Sequence, residues 1–310
     1  MNNLIFNIKY KSEPTTTLSD LRSGGQGGAV HNPYNILTTN VPQQTNIEIP
    51  TIIGQDIVKK LTDFILTQTP FSFSKYGDGE YLCALDGHGN NSDFDHYTPK
   101  LQHGLKTSFS YMIEDNKSEN TFIAAWHDKK ICHFWRSLVS DEFKDKIQWA
   151  DYHTFIVDVK DFNNSQNNSD LNDKISLYKA IQDSTLNKYI ICNNTMNKMG
   201  LLFNTSNILN IPHNNWFDAH FDAVLASMKS KIGDDPQPMI ITSCGMSSKV
   251  LIAELHKIYP NGLFLDVGSG PQFICTKRDM RGRDYSYDTI YNAFKPILPL
   301  DWSESEILNN

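Results

Sequence analysis

Nowhere in the 310 residues is there a run approaching the roughly 18 uncharged apolar positions that a membrane helix needs. The apolar stretch in the amino-terminal MNNLIFNIKYKSE is also too short for a signal peptide. Positive charge is scarce: 28 Lys and Arg against 35 Asp and Glu leave a net charge of −7. Nucleic-acid binding needs a clustered basic surface that would dominate such a balance, so that class of partner is set aside. Cysteine is sparse, and Cys83, Cys132, Cys192, Cys244 and Cys275 have no metal-type spacing; several sit in apolar runs where a thiol acts as a small hydrophobe. A soluble protein of a reducing, intracellular compartment is the expectation. No internal repeat is visible.

What is present is enough apolar residue, 39%, to fill a substantial core. From about Lys11 to Ile49 the chain is rich in Thr, Ser, Gly, Asn and Pro, with no apolar periodicity to order it alone. Residues 1–50 therefore read as an arm, either loose or docked on the main domain or on a neighbouring subunit of a homo-oligomer, and residues 51–310 as a single domain. Within that domain Ile53 to Thr67 has helical periodicity, and FSFSKY (Phe71 to Tyr76) reads as a strand. TFIAAW, HTFIVDV, KYIIC, SNILNIP, MIITS and LFLDV are further strands; helices are expected at Lys100 to Ile113, Leu171 to Asp183, Phe217 to Lys229 and Ser247 to Ile258. Strand and helix alternating this regularly imply an α/β fold: a mainly parallel central sheet, Rossmann-like, with helices on both faces.

In such a sheet ligands gather beyond the carboxyl ends of the strands. Two acids stand there, Asp78 and Asp266. The loop around Asp266, LFLDVGSGPQF, raises the possibility of an S-adenosylmethionine-binding turn and hence a methyltransferase. That turn normally follows the first strand of its unit, whereas about 40 residues follow Gly270 here, too few for the missing βα units, and Pro271 and Gln272 replace the third glycine. The stretch FSFSKYGDGEYL is more informative. Gly77 and Gly79 flank Asp78 and Glu80 follows, so two carboxylates project from one tight turn. Hard cations such as Mg²⁺ or Mn²⁺ take carboxylate oxygens of this kind together with water and ligand phosphate, and Lys75 could contact the same phosphate. The plainer reading is an acidic surface turn.

SKYGDGE is similar to the RYGDGE-type signature of glycosyltransferases of the GT-D fold, first grouped as a domain of unknown function (DUF1792). In that family an Asp-x-Glu motif after the first strand is associated with metal and nucleotide-sugar binding, which the resemblance carries onto Asp78 and Glu80. MIITSCGMSSKVLIAELHKIYPNGLFLDVGS resembles the family's closing βαβ unit, and KRDMRGRDY its basic stretch ending in Arg-Gly-Tyr. The resemblance spans roughly Pro70 to Tyr287. The chain departs from it in Lys75 for Arg, in SCGMSS for a Gly-Pro turn, and in GSGPQF, which lacks an acid and with it any acceptor contact that acid would make.

Each matched piece has a physical role open to it. Ser243, Cys244 and Gly245 lead into a helix near Ser247, whose free N–H groups and dipole favour a diphosphate; Ser247 and Ser248 could add hydroxyls or simply cap the helix. Asp266, with Gly268 and Ser269 in its turn, could orient a sugar hydroxyl or serve the turn alone. Asp218 and Asp222, four apart, would share a helix face, and one could be the general base for an acceptor hydroxyl; alternatively Asp218 only favours the helix start. Asn193, Asn194 and Asn197 could bind a nucleoside or cap a helix; Trp216 could stack on a base or belong to the core; His127 is a weaker candidate. Lys277, Arg278, Arg281 and Arg283 form the one basic cluster, either a solvated run or a lid over the leaving diphosphate.

The resemblance thus implies transfer of a sugar from a nucleoside-diphosphate sugar, a UDP-sugar foremost, to a hydroxyl of a glycan or glycoprotein, with Mn²⁺ or Mg²⁺ at Asp78 and Glu80. A methyltransferase and a non-catalytic nucleotide- or carbohydrate-binding module are the alternatives.

Overall fold

A central parallel sheet organises the chain in the computed structural model, which describes residues 51–52, 55–91, 94–115, 120–125, 129–157, 168–276, 287–300 and 302. The proposed arm, His127 and the basic cluster from Lys277 to Arg283 lie outside the described residues. In chain order the main elements are β1 (Thr51–Ile52), α1 (Gln55–Leu66), β2 (Phe71–Tyr76), α2 (Asp78–Asp86), α3 (Pro99–Ser110), β3 (Thr121–Ala125), α4 (Lys129–Arg136) and β4 (Gln148–Asp151). They continue with α5 (Asn168–Asp183), β5 (Lys188–Asn193), β6 (Ile208–Ile211), α6 (Phe217–Ile232), β7 (Met239–Ser243), α7 (Ser247–His256), β8 (Leu263–Asp266), α8 (Gln272–Thr276) and α9 (Tyr287–Phe294).

The strands pair in parallel in the order β1-β4-β3-β2-β8-β7-β5-β6. The expected mainly parallel sheet with helices on both faces is what forms. Its middle joins distant sequence: β2 pairs with β8, Phe73 opposite Leu265, so the turns after Tyr76 and Asp266 emerge side by side. β7 flanks β8 with Thr242 opposite Asp266, which adds the Ser243 turn to the same edge.

All six residues of β2 are buried, as expected for a central parallel strand covered on both sides. Phe71 and Phe73 join Phe122, Ala124, Ile190, Ile241, Leu263 and Leu265 in one apolar layer. Ile57, Leu61 and Ile65 of α1 and Leu177, Tyr178 and Ile181 of α5 cover it, with Ile274 of α8 and Ile290 and Phe294 of α9. The intervening side chains of β2 are Ser72, Ser74 and Tyr76; on that side Tyr76 packs against Phe109 of α3 and Trp135 of α4.

One expected strand is not one. HTFIVDV was to follow the helix at Lys100, but the sheet takes Gln148–Asp151 instead; His153 to Phe155 form a turn, Ile156 and Val157 are irregular, and the last two residues of the stretch lie outside the described residues. Asp151 causes the break: its carboxylate accepts the His153 N–H at 2.7 Å and its carbonyl accepts the Thr154 hydroxyl at 2.6 Å, curling the chain away from the ladder. The apolar side chains are still used, since Phe155 is buried edge-on against Phe73 at 5.3 Å. The helix at Lys100 is also shorter than expected: it is α-helical to Ser110 and ends in a π turn, Tyr111–Asp115.

Candidate functional site

Three strand-end turns meet at the carboxyl edge of β2, β7 and β8, and one lysine joins them. Lys249 lies in the first turn of α7, in the sequence SSKVLIAELH, which is buried nearly all round. A charge in such a helix must find opposite charge or cost several kcal/mol. The Lys249 Nζ lies 2.6 Å from Oε1 of Glu80 and 2.9 Å from Oδ2 of Asp266, and donates to the Gly245 carbonyl at 3.2 Å. All three ionic side chains are buried. Removing one member of such a cluster typically costs about 3–5 kcal/mol, because the others are left as uncompensated charge.

The acids are held from behind as well. Glu80 is the third residue of α2, and its Oε2 accepts the Gly77 N–H at 2.9 Å, the return half of a capping box. Asp266 accepts the Lys75 N–H on Oδ2 and the Gly268 N–H on Oδ1, each at 3.2 Å. Burial opposes ionisation of Glu80, but the Lys249 charge and hydrogen bond outweigh it and hold the carboxyl below its ordinary range. Burial likewise works against the Lys249 charge, and Asp266 and Glu80 together overcome it and raise its pKa.

On the other side of β2 the Lys75 ammonium sits over the Tyr152 ring at 4.3 Å. Space there is fitted to glycine. A Cβ on Gly268, whose φ is +52°, would lie 2.9 Å from the Lys75 Nζ; one on Gly77 would lie 2.8 Å from the Tyr152 hydroxyl. The Ser243 hydroxyl donates to the Gly268 carbonyl at 2.8 Å, locking the β7 and β8 turns together. Asp95 closes the edge from the loop before α3: its Oδ1 accepts the Asn215 N–H at 2.9 Å.

The expected residues therefore divide. Lys75, Gly77, Glu80, Ser243, Gly245, Asp266 and Gly268 converge, with half-buried Asp78, Gly79 and Ser269 in the same turns. Ser247 and Ser248 do not cap α7, because Met246 holds the cap position; Ser248 is fully buried with its hydroxyl 3.0 Å from the Cys244 sulfur. Asp218 and Asp222 are exposed, and their partners are on the approach to α3: Asp218 accepts the Thr98 hydroxyl at 2.9 Å, and Asp222 lies 3.9 Å from Lys100. Asn194 is exposed in a one-turn helix capped by Asn193, the capping alternative. Trp216 is buried and stacked on Phe221, a core residue. Arg281 lies outside the described residues.

The fit to a divalent metal is poor at Glu80. Both of its oxygens are engaged, one by an ammonium whose charge repels a second cation, and the side chain is buried. Among the described residues no group of three or more His, Cys, Asp or Glu is placed to hold a metal. Among them, too, no helix is long and apolar enough to cross a membrane. Sequence reasoning missed Lys249, Tyr152 and Asp95. A signal for Lys249 existed: it is the lone charge before an unbroken apolar run, VLIA.

No family model matches the sequence and no curated protein matches it. Two solved structures do, each over 80% of this chain and 91% of theirs, at 16% identity and a TM-score of 0.49. One is a selenomethionine-substituted domain of unknown function 1792; the other is described as that highly conserved domain, with a distinct glycosyltransferase fold. This is the group that the SKYGDGE turn resembles.

Proposed function

We propose that the protein is a glycosyltransferase that moves a sugar from a nucleoside-diphosphate sugar to a hydroxyl acceptor, with the diphosphate lying across the turns after β2, β7 and β8. The observation that carries this reading is the convergence of those turns. Gly245 and Gly268 have positive φ and carry no side chain of their own, though the Asp95 carboxylate packs against Gly245 as Lys75 does against Gly268, and α7 begins at the same edge. The Lys75 ammonium behind the Gly268 turn adds positive charge where an anion would accumulate.

In the transfer, the acceptor oxygen forms its bond to the anomeric carbon as the bond from that carbon to the diphosphate oxygen breaks. The acceptor proton passes to a carboxylate. We assign that carboxylate to Asp78, half-buried in the β2 turn beside the converging backbones, in preference to Asp218, which is exposed on α6. The amide edge and Lys75 stabilise the departing diphosphate, and alignment of the two substrates supplies much of the rest. The expected Mn²⁺ or Mg²⁺ has no step here, since Glu80 is committed elsewhere.

The test is a melting screen against UDP-, GDP-, dTDP- and CMP-sugars and S-adenosylmethionine, repeated on Lys75→Met. A true donor at 100 times its Kd should add about 2.7 kcal/mol of stability. That gain should shrink in the variant, and sugar release or transfer should accompany binding. A response to S-adenosylmethionine alone would replace the reading with a methyltransferase, and donor binding without turnover would replace it with a binding module.

A further inference from the structure

The arrangement at Glu80 goes further than a poor fit for metal. Oε1 of Glu80, Oδ2 of Asp266 and the Gly245 carbonyl come from three separate segments and meet at one place. That is how a protein arranges oxygen ligands around a hard cation. A cation is already there: an ammonium has three N–H donors, and Lys249 directs them to Glu80 at 2.6 Å, Asp266 at 2.9 Å and Gly245 at 3.2 Å. The lysine is 4% exposed, so bulk solvent has almost no access to it.

We propose that Lys249 is the resident cation of this site, standing where a divalent ion would otherwise bind the Glu80 and Asp266 carboxylates and excluding one while it is in place. The lysine is a positioning residue. It carries one positive charge against two negative ones, neutralising part of the acid burden at the sheet edge without needing a soluble ion. It also ties the β2, β7 and β8 turns to a single atom, so their glycine backbones keep one spacing. Only the consequence that a diphosphate meets this prepared edge rests on the glycosyltransferase reading; the cation assignment does not.

The experiment uses the full chain, stripped with chelator and free of nucleotide, so a failure here leaves the donor reading standing and the reverse. Melting temperature and Mn²⁺ binding, followed by water-proton relaxation, are measured for the wild type, Glu80→Gln and Lys249→Ala. The wild type should neither bind Mn²⁺ below millimolar concentration at these acids nor melt higher in its presence. Lys249→Ala should melt lower without metal, gain a Mn²⁺ site tighter than the wild type by tenfold or more, and recover several degrees when Mn²⁺ or Ca²⁺ is added. Wild-type Mn²⁺ binding that Glu80→Gln removes would overturn the proposal, as would a folded Lys249→Ala that gains no metal site. Should Lys249→Ala fail to fold, the wild type and Glu80→Gln decide the matter.

Discussion

The two faces of the sheet are built to different rules. Beneath α1, α5, α8 and α9 the strands β2, β3, β5, β7 and β8 contribute apolar side chains, among them Phe71, Phe73, Phe122, Ile190, Ile241 and Leu265. On the opposite face, under α3, α4 and α7, apolar Ile123, Ile240 and Phe264 are joined by Ser72, Ser74 and Tyr76 of β2, Thr242 of β7 and Asp266 of β8, all essentially without solvent access. Among the described residues, the hydroxyls of Ser72, Ser74, Tyr76 and Thr242 have no hydrogen-bond partner. Burying polar groups in this way costs free energy that the apolar face does not spend. The difference teaches that one face supplies the stability with which the other can hold a buried ionic cluster at the working edge.

The largest break in that comparison should come from the apolar side. Phe73 is fully buried against Phe155, and Phe73→Ala removes a ring from the middle of that layer. A loss of about 3–5 kcal/mol in urea denaturation is expected. A loss under 1 kcal/mol would mean that this face is not the stabilising one.

The division between the faces was only half legible in the sequence. The strand at FSFSKY was visible, and with it the strands at KYIIC, MIITS and LFLDV and the strand-end positions of Asp78 and Asp266. Those features follow from local periodicity and turn chemistry, which a single chain displays. The strand at Gln148–Asp151 was not legible, because HTFIVDV is richer in β-branched residues while the choice of ladder is set by pairing with β3 and β1. Lys249 was passed over for a similar reason: on a helix one lysine reads as a solvent-facing position until the sheet is assembled around it. The four-residue spacing of Asp218 and Asp222 predicts a shared helix face but says nothing of what that face meets, here Thr98 and Lys100.

A second, somewhat smaller test concerns pH. His256 ends α7 on the polar face, against Phe264 and within 3.1 Å of the Tyr111 hydroxyl, and burial lowers its pKa to about 4. Its unfolded value is near 6.5, so between the two pH values the unfolded chain binds a proton that the folded chain refuses. Stability from this group is intact above pH 6.5, falls as the pH drops, and is fully lost near pH 4, by about 3 kcal/mol. Glu80, whose pKa is lowered, acts in the same sense but within the carboxylate range, where its contribution disappears as the pH falls. His256→Gln should therefore flatten denaturation midpoints between pH 6.5 and 5 while leaving the acid limb caused by Glu80. A variant with the wild-type slope over that window would show that the histidine is protonated in the folded protein.

The smallest effect is the most discriminating. Thr242 on β7 stands opposite Asp266 in the ladder, fully buried, and its hydroxyl finds no partner among the described residues. Thr242→Val keeps the branched shape and β propensity but removes the oxygen. If the polar face carries an unrewarded hydroxyl there, the variant should equal the wild type or exceed it by about 1 kcal/mol, since the desolvation cost disappears with the group. A loss of 1 kcal/mol or more would mean instead that the hydroxyl is satisfied by an ordered water, and that the row Ser74, Asp266 and Thr242 forms a hydrated layer beneath Lys249. That outcome would change what the second face is for: its hydroxyls would be hydrating the ionic cluster, and the contrast between the two faces would be between a dry layer and a wet one.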